Sequence, residues 1–180
     1  METWEWIVLG AAAVLFLLLV LALVRIRRRR SRLQARFGPE YQRAVASAGT
    51  GAAEKRLGEV ERERSEIDIR PLPAAARERF LDEWRQVEAR FVSDPRESAR
   101  AAERIVERVL EERGYPVDGD AERRAAVVAV DHANIADRYR HGRAMLGGVD
   151  GEEGTESLRK AVLDFRSVLE ELLASDPKAA

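Results

Sequence analysis

The chain has 180 residues, with 31 basic and 32 acidic side chains for a formal net charge of −1, and it contains no cysteine. Lack of cysteine excludes a disulfide framework, a thiolate metal site and a thiol nucleophile. The near-zero total conceals a polarity: residues 1–32 hold two acids and six arginines, a balance of +4, which leaves −5 for residues 33–180. That acidic remainder is long enough for one domain with a core of its own.

The N-terminal side is dominated by residues 7–24, IVLGAAAVLFLLLVLALV, which contain no charge and no proline. At roughly 1.5 Å of rise per residue such a run spans about 27 Å as a helix, close to the ~30 Å hydrocarbon core of a bilayer. Thirteen of its residues are Leu, Ile, Val or Phe. At about 0.3–0.6 kcal/mol each they favour insertion by about 4–8 kcal/mol, with no buried charge opposing them. The sequence therefore predicts a transmembrane helix over 7–24 after a short extracytoplasmic tail, 1–6, with Trp4 and Trp6 at the outer interface.

Residues 25–32 form a polybasic segment carrying Arg25, Arg27, Arg28, Arg29, Arg30 and Arg32. The positive-inside rule places this side, and everything after it, in the cytoplasm under the plasma membrane, where anionic headgroups are the expected partner. A cleaved signal peptide needs a positive region before its apolar stretch and a small-residue site after it. Here METWEW has Glu2 and Glu5 but no Lys or Arg, and no A-x-A-like site precedes the arginines. An uncleaved anchor is the expectation, and a secreted protein is the alternative. Specific nucleic-acid binding is not expected: the chain uses 28 arginines against three lysines, so a run of four is weak information, and no stacking module accompanies it.

Beyond the arginines every signal is helical. Leu33, Phe37, Tyr41 and Val45 recur at fourfold spacing, interrupted by Gly38-Pro39, where the first helix should end at Phe37 and Pro39 should open a second. SAGTGA, 47–52, reads as a flexible break. Residues 53–70 place Leu57, Val60 and Ile67 on a thin seam amid dense charge, so 33–70 reads as kinked juxtamembrane helices or a stalk. The prolines of DIRPLP stop it. An irregular cytoplasmic bundle of four to six helices is expected over 71–176, with 177–180 as a disordered tail. Its first helix carries Phe80, Trp84, Val87 and Phe91. Ser93-Asp94-Pro95 caps the next, which presents Ala102, Ile105 and Val109 and closes at Gly114. A helical stretch from about Ala121 to Leu146 is bent near Val130-Asp131. After GGVDGEEG, the last helix aligns Leu158, Val162, Phe165, Leu169 and Leu172. The fold class is all-α.

Catalytic signals are weak. In VDHANIADRYRH, His132 and His141 lie nine apart, half a turn out of phase, whereas a two-histidine zinc helix spaces them three or four apart. Asp131 reads as an N-cap beside a surface histidine, and Arg138, Arg140 and Arg143 beside Tyr139 as a solvated face. SAGTGA and LGGVDGEEG lack phosphate-loop spacing, and VDGEEG lacks the ligand pattern of a calcium loop. Neither a metal nor a cofactor is expected. In ERGYPV, Tyr115 and Val117 around Pro116 read as core packing, and an exposed Tyr115-Pro116 hook for a partner is the sharper alternative.

The strings RFGPEY, EIDIRPLP, ERGYPV and DHANIADRYR are similar to those of an uncharacterised bacterial, mainly actinobacterial, family of single-pass membrane-anchored helical proteins often labelled membrane or secreted protein. The resemblance covers nearly the whole chain after the apolar run and implies fold and topology, with no catalytic residues. The expected function is non-catalytic: a scaffold or protein-interaction module at the inner leaflet, with an unknown protein partner and a homo-oligomer left open. An enzyme with a site around Asp131 and His132 is the alternative from a different class.

Overall fold

The computed structural model describes residues 3–116, 120–147 and 152–174, with side chains described throughout these except at 3, 5–9, 11, 152 and 153. Every regular element among the described residues is a helix: α1 Thr3–Phe37, α2 Pro39–Glu66, α3 Ala74–Arg90, α4 Pro95–Glu112, α5 Ala121–Ala129, α6 Ala133–Leu146 and α7 Glu152–Ala174. The chain divides into two compact units, Met1–Glu54 and Lys55–Ala180.

In the first unit, α1 ends at Phe37, Gly38 takes a left-handed φ of 48°, and α2 starts at Pro39. Proline at a helix start loses a hydrogen bond that would be absent anyway, and its fixed φ suits the first turn. SAGTGA is not a loop. Helix continues through it, broken only at Gly49, whose φ of 77° and ψ of 162° kink α2. Only glycine adopts that φ without strain, and a Cβ there would meet open space, so the requirement comes from the backbone alone. Leu33, Phe37, Tyr41, Ala44 and Ala53 are buried, as the fourfold spacing predicts for the first three.

The transmembrane expectation does not gain support here: among the described residues, no helix is long and apolar enough to cross a membrane. The side chains at 7–9 and 11 of the apolar run, and that of Trp6, lie outside the described ones. Trp4 is exposed.

The second unit is built on α4 and α7. α4 packs against α3, α6 and α7, while α6 joins α5 to α7. α4 opens with Asp94, whose carboxylate accepts from the Glu97 amide at 3.0 Å, and with Pro95 in the first turn. Its end is a Schellman closure: the Tyr115 amide donates to Leu110 O at 2.9 Å and the Gly114 amide to Glu111 O at 2.8 Å. Gly114 has φ 94°, and a Cβ there would sit 2.7 Å from the Asp68 carbonyl oxygen, because the DIRPLP segment runs against this turn. The Arg70 amide donates to Arg113 O at 2.9 Å, which fixes that segment.

The core comprises Phe80, Trp84 and Val87 from α3, Ala102, Ile105, Val106 and Val109 from α4, and Phe165, Val168, Leu169 and Leu172 from α7, all buried. Phe91 was expected on the α3 face but falls just beyond the helix, where it is only half-buried. The stretch after Ala121 divides into two helices, as its predicted bend suggested. His132, not Asp131, is the N-cap residue of α6, and its side chain makes no capping hydrogen bond. Gly142 lets α6 approach α7: a Cβ there would lie 3.1 Å from the Phe165 ring. The part of α2 from Lys55 onward belongs to the same compact unit as the bundle.

Candidate functional site

In the first unit the arginine run is not uniform. The turn at Gly38 and the kink at Gly49 carry α2 back so that Glu54 meets α1, 24 residues away from Arg30 in sequence. Arg30 Nε donates to Glu54 Oε1 at 2.9 Å, Tyr41 Oη donates to the same oxygen at 3.2 Å, and an Arg29 guanidinium nitrogen donates to the Glu54 carbonyl at 3.4 Å. Glu54 is nearly covered, its side chain 14 % exposed, whereas that of Arg30 is 52 % exposed. The hydrogen bond and charge of Glu54 raise the Arg30 pKa, and burial followed by Glu54 raises that of the Tyr41 hydroxyl, so Tyr41 remains a donor. Arg25, Arg27 and Arg28 are exposed and have no ion-pair partner among the described residues. Arg32 is exposed and takes part in an interaction of its own.

In the second unit, polar groups gather where five segments meet: the end of α2, the DIRPLP segment, the end of α4, the α5–α6 junction and α7. Arg113 is 1 % exposed and donates from Nη1 to the Leu172 carbonyl at 2.6 Å. Burial lowers its pKa, and Arg77 and Arg64 push the same way against the pull of Tyr115 and Asp131. Tyr115 Oη donates to Asp131 Oδ2 at 2.9 Å, and Arg64 Nε donates to the same oxygen. Burial, reinforced by Asp131, pushes the Tyr115 hydroxyl far up, which keeps it protonated and a donor at any physiological pH. His132 Nδ1 lies 3.4 Å from Glu171 Oε1. Its pKa is lowered by burial first and by Arg113 second, against Glu171 and Asp131. The histidine is half-buried, and its lowered pKa favours the neutral form.

The Tyr115-Pro116 turn is packed against the protein. Tyr115 is 3 % exposed, with its hydroxyl committed to Asp131, so the ring offers nothing to a partner; Pro116 is half-buried. Val117 lies outside the described residues. Core packing around Tyr115 explains the turn.

A second polar contact joins buried Arg124 of α5 to Glu107 of α4 and Tyr139 of α6. Arg124 Nη1 donates to Glu107 Oε1 at 2.5 Å and to Tyr139 Oη at 2.9 Å. Burial works against the Arg124 charge, but Tyr139 and Glu107 outweigh it and raise its pKa. The Tyr139 ring meets Phe165 edge-on at 6.2 Å. The arginines beside Tyr139 face protein groups: Arg138 approaches Ser167 Oγ at 3.4 Å, Arg140 pairs with Glu122 at 2.8 Å and Arg143 with Glu103 at 2.7 Å. His141 pairs with Asp164. Asp131 and His132 share a cluster, while Arg138 and His141 engage other groups.

A groove of about 680 Å³ runs along α3 and α4, lined by Glu83, Val87, Arg90, Ile105, Arg108 and Glu111 among others. Asp131, His132, Tyr115 and Arg138 are not part of its lining. Among the described residues no group of three or more His, Cys, Asp or Glu could hold a metal ion. The VDGEEG side chains from Val149 to Glu153 lie outside the described residues.

Comparison with protein-family models, with curated proteins and with solved structures finds no match in any of the three.

Proposed function

We propose that this is a single-pass membrane protein whose α1 crosses the plasma membrane through residues 7–24. The tail lies outside and the helical unit in the cytoplasm, where it acts non-catalytically as a scaffold or protein-interaction module. The carrying observation is the exposure of α1: Leu15 is 71 % and Phe16 68 % exposed, and Leu17, Leu18, Leu19, Leu21 and Leu23 are exposed with them. A stretch apolar all round is stable only inside a large core or in lipid, and every residue of this one from Ala12 to Val24 is exposed. The charge-free run, 18 residues long in the sequence, is long enough for lipid. Arginines on one flank and none on the other set the orientation. Membership of the actinobacterial membrane-anchored family that the chain resembles belongs to the same reading.

Support for a non-catalytic role comes from how the polar groups are used. Asp131 Oδ2 is taken up by Tyr115 and Arg64, and Arg113 by a backbone carbonyl, so these groups lock segments together. An enzyme would instead present a base and its orienter to a cavity. The experiment for anchoring is alkaline carbonate extraction of membranes holding the full chain. The protein stays with the lipid if the reading is right and washes off if it is wrong. For the interaction role, the full chain captured from detergent-solubilised membranes should bring down one reproducible protein that a His132→Ala variant still binds. Loss of a turnover reaction in that variant would favour the enzyme reading.

A further inference from the structure

The anchor reading treats the six arginines as one positive collar, but the structure divides them. On that reading, and at about 1.5 Å of rise per residue, Arg25, Arg27 and Arg28 lie roughly 1.5–6 Å past Val24. That is the depth of the headgroup layer, about 5–7 Å per leaflet. Arg29 and Arg30 lie about 7.5–9 Å past Val24, at or beyond its edge, and Arg32 about 12 Å past it. The same division appears in the bonding. The outer pair is spent on Glu54, with Tyr41 closing the clamp. The inner three are exposed and have no ion-pair partner among the described residues.

We propose that Arg25, Arg27 and Arg28 form the surface that binds the phosphates of anionic lipid headgroups, while Arg29 and Arg30 are reserved for Glu54 and fix where α2 folds back. Guanidinium groups suit this task, because their planar fork matches phosphate oxygens two at a time. The apolar run that precedes the three holds them at a lipid surface, which selects headgroup phosphate over phosphate free in solution. The Glu54 carboxylate covers Arg30 with the one charge that competes with a headgroup. The inner three meet no such competitor. Each arginine beside an anionic surface changes affinity roughly fivefold, so three act together over about two orders of magnitude.

The test uses the full chain reconstituted into phosphatidylcholine bilayers mixed with phosphatidylglycerol, the retained lipid being counted by native mass spectrometry. Integration is checked separately by flotation at alkaline pH. Wild type should retain phosphatidylglycerol preferentially. R25Q/R27Q/R28Q should lose at least tenfold of that preference, and R25K/R27K/R28K should keep most of it, since the charges remain. R29Q/R30Q should stay within about twofold of wild type while its amide exchange around Glu54 accelerates, because the clamp is gone. Equal losses in the two glutamine variants, or none in either, overturn the division. Displacement of the lipid by inorganic phosphate overturns the headgroup assignment. Integrated protein with no preference for phosphatidylglycerol sinks this proposal alone, whereas a chain that does not float sinks the anchor reading and this proposal with it.

Discussion

α1 and α7 are built from the same kinds of residue, yet they solve opposite problems. In α7, Leu158, Val162, Phe165, Leu169 and Leu172 fall on one stripe and are buried, with charged residues on the other side. In α1, every residue from Val14 to Val24 is exposed, and no polar face opposes them. A stripe specifies a protein partner for the helix; apolar residues on every side specify a solvent. Arginine draws the same contrast. On α1 it lies exposed at the end of the apolar run, while at Arg113 it is sealed inside the helical unit and donates to a carbonyl.

The sharpest way to break the comparison is to truncate one aromatic in each helix. Phe165→Ala should cost the helical unit about 3–5 kcal/mol, because the ring is fully buried and its removal leaves a cavity. Calorimetry of the full chain in detergent should show the transition falling by roughly 10–20 °C. Phe16→Ala should leave that transition where it is and weaken insertion by only a few tenths of a kcal/mol. Equal thermal effects would mean that α1 is packed, not solvated by lipid.

Next in size is Tyr115→Phe, which removes a hydrogen bond to a largely buried carboxylate and should cost about 1.5–3 kcal/mol in urea unfolding. A neutral result would show Asp131 content with Arg64 alone. Gly142→Ala is smaller. The gain in helix propensity, about 1 kcal/mol, works against the 3.1 Å approach to a Phe165 ring with nowhere to move. A net loss of about 1 kcal/mol is expected, and the double variant with Phe165→Leu should recover part of it.

The smallest effect is a pH dependence. Burial and Arg113 hold the His132 pKa below its ordinary 6.5, so the unfolded chain takes up a proton there more readily than the folded protein does. The stability linked to this residue is therefore intact above about pH 6.5 and declines as the pH falls through the window below it. From about pH 7 to pH 5 wild type should lose more thermal stability than His132→Asn. Parallel curves would show that the histidine is not held neutral.

The helices themselves were legible because hydrophobic period, proline and glycine act locally. Gly38-Pro39, Asp94-Pro95 and Gly114 mark their boundaries through backbone geometry that any context preserves. SAGTGA misled because composition suggests a break, while flanking helices confine it to Gly49. The polar clusters were not legible. Nothing distinguishes Arg113 or Arg30 from the other arginines of a chain that uses arginine as its default cation, and the partners Leu172 and Glu54 lie 59 and 24 residues away. Asp131 and His132 were noticed, but their roles depend on Tyr115, Arg64 and Glu171, which only folding brings near.

The proposed function stands on α1 crossing a bilayer with its N-terminal end outside, and the absence of cysteine makes that directly measurable. Single cysteines at Glu2→Cys and at the exposed Ser93→Cys can be challenged on intact cells with a maleimide that does not cross membranes. The account predicts labelling at position 2 before lysis and at position 93 only after it. Labelling of position 93 on intact cells would contradict it.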